Sequence, residues 1–558
     1  MSSQETVELL RKLIDTFEVT QTCEQMVNGK KVVPLYNNRH HLSQRSKVFK
    51  RKTLPTTSNG YESPATPSSD EDEDDFEPLT KPVFHAGESC YTYYSQEYID
   101  FTFENPTIYH VVKHFSQLLE SHGFKYLPEG KSWGQMTPGF YYTTRNQTSL
   151  SCFVIGKHWT PEDGVGLIGA HIDVLTAKLK PSSKKKEVEG YELLGVAPYA
   201  GAISEVWWDR DLHIGGYVLV RDADGKIVSK LVKSDFPVAR IPSLAPHFGK
   251  DFSSLLNKET RAVPVIAYHG GVDSEPEPEL SDDEKKCPLI SVHSITLLRF
   301  IAELAGVKVS ELVQLDLDIY EGQKGAIGGM KKDFLFAPRV DDRICGFAAV
   351  YGLLEFLQTQ DFQIPDHSFS LVTLYDNEEI GSLSKQGAQG GLSESVIERT
   401  IDSFIADKQG LSLESLYKVA YANTLILSAD VNHAFNPNFP DVYLENHGPK
   451  LNTGMTIAFD ERAMATDVTG RAIIEEVARS NGDKLQMFHI RNDSRSGGTI
   501  GPYISSKTGA RTIDCGIAQW SMHSSRATVG SKDVAIGVKF FSGFFKYWRA
   551  AASKFEDF

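Results

Sequence analysis

Five apolar runs in this chain end in side chains of the types that can ligate divalent metal ions. VGLIGAHID closes on His171 and Asp173. FLFAPRV leads into Asp341 and Asp342, just before a helix expected from Arg343. SLVTLYDNEE closes on Glu378 and Glu379, and TLILSADVNH closes on Asp430 and His433. His523 lies in AQWSMHSSR, after the run RTIDCGIAQ. Taken singly, an Asp–Asp pair before a helix reads as an N-cap with a first-turn acid. A Glu–Glu pair reads as surface charge. Five strand ends that each offer a His or a carboxylate are hard to explain as five independent caps.

This inventory matches two-metal hydrolysis. Two close divalent ions need a bridging carboxylate to offset their repulsion. Each then takes further His or carboxylate ligands of the kind zinc prefers. A separate carboxylate takes the proton of the attacking water, and an adjacent Glu–Glu pair can supply both a ligand and that base. An Asp two residues after a ligand His can fix the tautomer of the imidazole. The Gly-rich stretch Ser494–Pro502, containing Gly497, Gly498 and Thr499, lacks the G-K-[ST] ending of a phosphate loop. It reads either as a tight turn or as a loop bringing backbone amides to a substrate carbonyl.

The elements that position these residues follow from the patterning. Apolar runs flanked by helices predict an α/β fold whose mixed, largely parallel sheet has helices on both faces, with the reactive residues at the carboxyl ends of strands. A helix is expected over 107–122, where Ile108, Val111, Val112, Phe115, Leu118 and Leu119 keep helical spacing and Gly123 follows. Residues 93–179 and 334–558 form the two parts of this domain. Residues 180–333 are rich in short β-like pieces and form an inserted β-rich domain. Residues 1–45 begin with an amphipathic segment, with Val7, Leu10, Ile14 and Phe17 on one side. Residues 46–92 form a linker containing the acidic run Asp70–Asp75, too poor in apolar residues to offset the entropy of ordering.

Net charge is −15 over 558 residues, which argues against a general nucleic-acid or anionic-membrane binder. No run approaches the length of a membrane span. The six cysteines are scattered without a C-x-x-C pair, so neither a disulfide framework nor a Cys-type zinc site is expected.

The motifs GAHIDVLTAKLKP, FLFAPRVDDRICGF, TLYDNEEIGS, LSADVNHAFNPNFPDVYLENH, NDSRSGGTIGP and AQWSMHSSR occur in one order over residues 95–556. Together they resemble the aspartyl aminopeptidase family of co-catalytic zinc metallopeptidases. The resemblance implies two Zn2+ per subunit, with Co2+ or Mn2+ as possible substitutes. His171, Asp341 and Asp430 would hold one ion; Asp341, Glu379 and His523 would hold the other. Glu378 would be the general base, and Asp173 would support His171. His433 and the Gly497–Thr499 loop would contact substrate. The inserted domain would mediate dimerisation within a tetrahedral dodecamer, with His247 reaching a neighbouring subunit's site.

Acid-selective members of the family pair a lysine with the substrate's acidic side chain where this chain has Ala458. That departure implies a neutral or apolar first residue such as Leu or Met. The amino-terminal segment resembles the propeptide of the vacuolar members, implying a cytoplasmic precursor, a selective-autophagy receptor as partner and delivery to the vacuole lumen. Three alternatives stay open: a cytosolic acid-selective aminopeptidase, another hydrolase on the same metal scaffold, and a self-assembling scaffold with a relict site.

Overall fold

Strands that are apolar on both faces can exist only where both faces are covered, and the centre of this fold consists of such strands. The computed structural model describes residues 88–248, 256–272, 278–405, 410 and 412–556, together with two short paired strands, Met26–Val27 and Lys30–Lys31. The chain divides into two units, Met1–Ala65 and Thr66–Phe558. The expected amphipathic segment at 5–20 and nearly all of the expected linker lie outside the described residues.

The second unit holds a nine-stranded sheet. Its strands are β1 (Lys125–Tyr126), β2 (Gly139–Arg145), β3 (Ser149–Ile155), β4 (Gly166–His171), β5 (Phe369–Tyr375), β6 (Leu425–Ala429), β7 (Met455–Phe459), β8 (Leu485–His489) and β9 (Arg511–Gly516), in the order β8-β7-β9-β6-β4-β5-β3-β2-β1. The central strands β9, β6, β4 and β5 run parallel to one another, and antiparallel pairs enter at β7–β9, β5–β3 and β3–β2. Every residue of β4, β5 and β6 is buried.

The helices α1 (Glu88–Glu104), α2 (Ile108–Ser121), α3 (Arg343–Thr359) and α4 (Asp533–Ala552) contribute to the largest core. Helices α3 and α4 pack closely because Gly352 has no side chain. A Cβ there would come within 2.8 Å of the Phe541 Cβ. A separate apolar cluster, with Phe153, Trp159, Phe369 and Ile504, involves helices Leu392–Phe404 and Gly501–Thr508. Among the described residues no helix is long and apolar enough to cross a membrane.

The inserted part is a six-stranded antiparallel sheet in the order Ile227–Lys233, Leu212–Arg221, Leu312–Glu321, Thr176–Lys184, Tyr191–Tyr199, Val265–Tyr268. Helix Ile295–Ala305 packs into its core; Ser294 caps it by accepting from the Leu297 amide, and Gly306 ends it in the left-handed conformation.

The boundaries differ from those expected. The inserted sheet runs from Thr176 to Glu321 rather than over 180–333. Ala326–Gly328 and Phe334–Ala337 instead pair with each other and with Ala527–Gly530 in a three-stranded sheet. The Lys-rich stretch after Leu179 looks like a break in sequence, but the strand passes through it with an irregular register. Helix α1 starts at Glu88, inside the expected 46–92 linker. Its buried residues are Tyr94, Ser95, Tyr98, Ile99, Phe101 and Thr102, a mixture without a marked apolar stripe.

Candidate metal centre

Three parallel strands in the middle of the sheet deliver most of the centre. Strand β4 ends on His171, with Asp173 two residues on. Adjacent β5 ends at Tyr375, and the turn Glu378–Ile380 follows. On the other side of β4, strand β6 ends at Ala429 and Asp430 follows. Asp341 comes from the loop between Phe334–Ala337 and α3, and its peptide bond to Asp342 is cis. His523 lies in the loop after the short strand Ala518–Gln519. Gly516 permits this assembly: a Cβ there would fall 1.6 Å from the Asp430 carbonyl oxygen.

The side chains converge in two groups. His171 Nε2 lies 3.2 Å from Asp341 Oδ1, 3.7 Å from Asp430 Oδ1 and 3.9 Å from Glu378 Oε2. His523 Nε2 lies 3.4 Å from Asp341 Oδ2 and 3.5 Å from Glu379 Oε2. Asp341 thus presents one carboxylate oxygen to each imidazole. His171 is buried, whereas the His523 side chain is 52 % exposed and covers the outer side.

Burial dominates the electrostatics. It pushes Glu378 up to about 8 and Asp430 up to about 6, and it raises Glu379, in each case with the charge of Asp341 adding to the effect. Burial alone would lower His171, but the neighbouring carboxylates of Asp173, Asp341 and Asp430 hold it well above its ordinary value. Burial also opposes the charge of Asp173; hydrogen bonds from His171, Tyr199 and the Glu379 amide nevertheless keep its carboxyl below the usual range.

A cation fits this arrangement. The buried atoms His171 Nε2 and Glu379 Oε1 have no hydrogen-bond partner among the described residues. Two donors about 2.0–2.1 Å from one tetrahedral zinc are themselves roughly 3.3 Å apart, close to the spacings found here. His171, Glu378 and Asp430, and likewise His171, Asp341 and Glu379, offer ligand atoms all within 4.8 Å of one another. By spacing alone, Glu378 could serve either as a ligand or as a free base. Asp342, the expected helix cap, makes no cap hydrogen bond. It is fully buried beside the Cys345 thiol, and burial followed by the Asp430 charge raises its pKa.

The other candidate residues fall around this centre in different ways. His433 reaches solvent yet sits deep among protein atoms, and that desolvation lowers its pKa. Gly497 and Gly498 face open space: a Cβ added at either would meet nothing within 4 Å. The Thr499 hydroxyl donates to buried Asp514 at 2.7 Å, so it anchors the loop and leaves the backbone, not the side chain, for a substrate. Ala458 is only 2 % exposed and is therefore not itself a pocket wall. It pairs across β7 and β8 with Phe488, whose ring lies 5.5 Å from His433. His247 is exposed on the turn Pro246–Phe248, and the contacts that build the centre do not include it.

Sequence reasoning missed Phe488 and Tyr199, which donates to Asp173 Oδ2 at 2.7 Å. Tyr199 lies in the stretch VAPYAG, and nothing in its spacing links it to Asp173. The described cysteines Cys90, Cys152, Cys287, Cys345 and Cys515 are free.

Comparison with known proteins identifies the family. The family model described as Aminopeptidase I zinc metalloprotease (M18) matches residues 101–545. The chain is 55 % identical over 469 residues to vacuolar aminopeptidase 1 of Saccharomyces cerevisiae, covering 83 % of this chain and 90 % of that one. It is 35 % identical over 475 residues to aspartyl aminopeptidase of Aspergillus oryzae, covering 81 % and 95 %. The structure of the S. cerevisiae mApe1 dodecamer superposes with a TM-score of 0.75 at 50 % identity, covering 84 % of this chain and all of that one.

Proposed function

We propose, from the premise that the chain belongs to the aminopeptidase I (M18) family of zinc metalloproteases, that it removes neutral, apolar amino-terminal residues from peptides at a centre of two zinc ions. The observation that carries this reading is Asp341, with Oδ1 3.2 Å from one imidazole and Oδ2 3.4 Å from another. His171, Asp341 and Asp430 would hold one ion; Asp341, Glu379 and His523 would hold the second. When bound, zinc supplies Lewis-acid polarisation and a water acidic enough to ionise near neutral pH.

The remaining steps belong to this chain's own groups. Glu378 takes the proton of the attacking water and returns it to the leaving amine. Burial pushes its carboxyl up to about 8, and nearby cationic charge would return it to its ionised form. Asp173 accepts from His171 Nδ1 and leaves Nε2 as the ligand atom. The Gly497–Thr499 backbone and His433 line the substrate's approach. Phe488, beside Ala458, gives the side-chain pocket an apolar wall where a lysine would favour Asp or Glu.

The test is kcat/KM on Leu- and Met-peptide analogues against Asp and Glu analogues, with an amino-blocked Leu peptide as control. Leu and Met are expected to be preferred and the blocked peptide ignored. A preference for Asp or Glu overturns the pocket reading, and cleavage of the blocked peptide overturns the aminopeptidase mechanism.

The relative solved as a dodecamer supports the same assembly here, with dimers formed through the inserted sheet and His247 directed to a neighbouring subunit. The relative named as vacuolar supports the vacuole as destination; the route proposed is a cytoplasmic precursor carried there by a selective-autophagy receptor through residues 1–20. Deleting those residues is expected to abolish delivery and spare peptidase activity; unchanged delivery refutes the route.

A further inference from the structure

The Asp173 carboxylate is buried, and both of its oxygens are engaged. Oδ1 accepts from the Glu378 amide at 3.1 Å and lies 3.2 Å from His171 Nδ1. Oδ2 accepts from the Glu379 amide at 3.1 Å and from the Tyr199 hydroxyl at 2.7 Å. Three of these donors belong to the centre itself, His171 at the end of β4 and the Glu378 and Glu379 amides in the turn after β5. The fourth, Tyr199, is the last residue of strand Tyr191–Tyr199 in the inserted sheet.

Tyr199 also acts in a second direction. Its oxygen accepts from Asn377 Nδ2 at 2.8 Å. Asn377 is left-handed, with φ 60°, and immediately precedes Glu378. One hydroxyl from the inserted domain therefore ties together the carboxylate that orients His171 and the turn that carries Glu378 and Glu379.

The seam behind it is polar. A cavity of about 160 Å³ is lined by Asp173, Tyr199, Lys178, Asp316, Asp318 and Asp376. Lys178 of the insert pairs with Asp318 at 2.8 Å and Asp316 at 3.3 Å, and Tyr109 of α2 donates to Asp316 at 2.6 Å. An apolar seam tolerates sliding, whereas directional hydrogen bonds of this kind fix a register.

We propose that Tyr199 is a positioning residue: its hydroxyl holds Asp173, so that His171 and the Glu378–Glu379 turn aim correctly only when the inserted domain is docked. This rests on the reading of His171 as a metal ligand. Outer partners of metal-bound histidines typically change metal affinity by about 10–100-fold when removed, because the ring and its tautomer lose their fixed orientation.

The test uses full-length Tyr199→Phe, which keeps the ring and removes the hydroxyl. Zinc affinity is measured by chelator competition, and kcat and KM are measured with a Leu-peptide analogue. The expected result is zinc binding about 10-fold weaker and a lower kcat at unchanged KM. In an Asp173→Asn background the same change is expected to add nothing, because both act through one carboxylate.

Zinc affinity and kcat within two-fold of wild type, or effects that add fully in the double variant, overturn the proposal. If His171→Ala keeps wild-type zinc affinity, the reading of His171 fails as well, which distinguishes the two failures. Should Tyr199→Phe not fold, Asn377→Gly keeps the left-handed backbone and removes the amide. It is expected to weaken zinc binding in the same direction, and wild-type affinity there overturns the proposal.

Discussion

Removing the metal should make this protein less stable as pH rises from 5 to 8. Burial pushes Glu378 from 4.5 up to about 8 and Asp430 from 3.8 up to about 6. The folded protein keeps these protons at pH values where the unfolded chain has released them. Folding therefore takes up protons between about pH 4 and 8, and stability falls as pH rises through that window. His171, held well above its ordinary value, adds to the decline above about pH 6.5, because its stabilising charge is lost as pH climbs. The lowered carboxyl of Asp173 has the opposite sign, but its contribution is lost only below about pH 4.

At about 1.4 kcal/mol per pH unit, the rise at Glu378 alone corresponds to about 5 kcal/mol. The costs at Asp430 and Glu378 overlap, since both occupy one buried spot, so about 5 kcal/mol is taken for the pair. Unfolding entropy near 2.1 cal/mol/K per residue over the roughly 490 residues of Thr66–Phe558 gives about 1 kcal/mol/K, hence a fall in Tm of about 5 °C. The assay is differential scanning calorimetry of chelator-treated and zinc-loaded protein from pH 5 to 8. The metal-free protein should lose about 5 °C while the loaded protein does not, and metal-free Glu378→Gln should lose much less. A metal-free Tm that is flat or rises over this range, or a Glu378→Gln variant that declines as steeply as wild type, refutes the reasoning.

Other outcomes follow from the same geometry. Asp341→Asn replaces one of two ligand oxygens with an amide donor and should weaken zinc binding by at least about 100-fold, read by chelator competition. Glu378→Gln should keep its zinc but lower kcat by about 10²–10⁴-fold, read by metal content alongside turnover; loss of zinc would make Glu378 a ligand instead. Gly516→Ala places a methyl group 1.6 Å from the Asp430 carbonyl oxygen, so strand β9 must move. A loss of about 3 kcal/mol or more of stability and weaker zinc binding are expected, read by denaturant unfolding and chelator competition.

The parts of the fold that alternate little and run apolar were legible in the sequence. The strands ending at His171, Tyr375 and Ala429 are buried on both faces, so they read as apolar runs whatever their partners. Helix α2 was legible because one of its faces is apolar and the other polar. Helix α1 was not, because its buried residues mix Tyr94, Tyr98, Ile99 and Phe101 with Ser95 and Thr102 and form no continuous apolar stripe. The start of the insert was hidden by Lys178, which local patterning scores as surface but which pairs with Asp316 and Asp318. Contacts made across the fold left no local trace. Tyr199 meets Asp173 over a gap of 26 residues and from a different sheet, and Phe488 lies beside Ala458 only because β7 and β8 pair in parallel. Thr499 shows the converse: a loop expected to serve substrate uses that hydroxyl to hold Asp514.

The most direct test of a centre shared through Asp341 is an anomalous-scattering crystal structure of the zinc-loaded protein, collected at the zinc edge. It should show two peaks per subunit about 3.5–4 Å apart, one beside His171 and Asp430 and one beside Glu379 and His523, with Asp341 between them. A single peak at full zinc occupancy, or two peaks that Asp341 does not join, would contradict the shared centre.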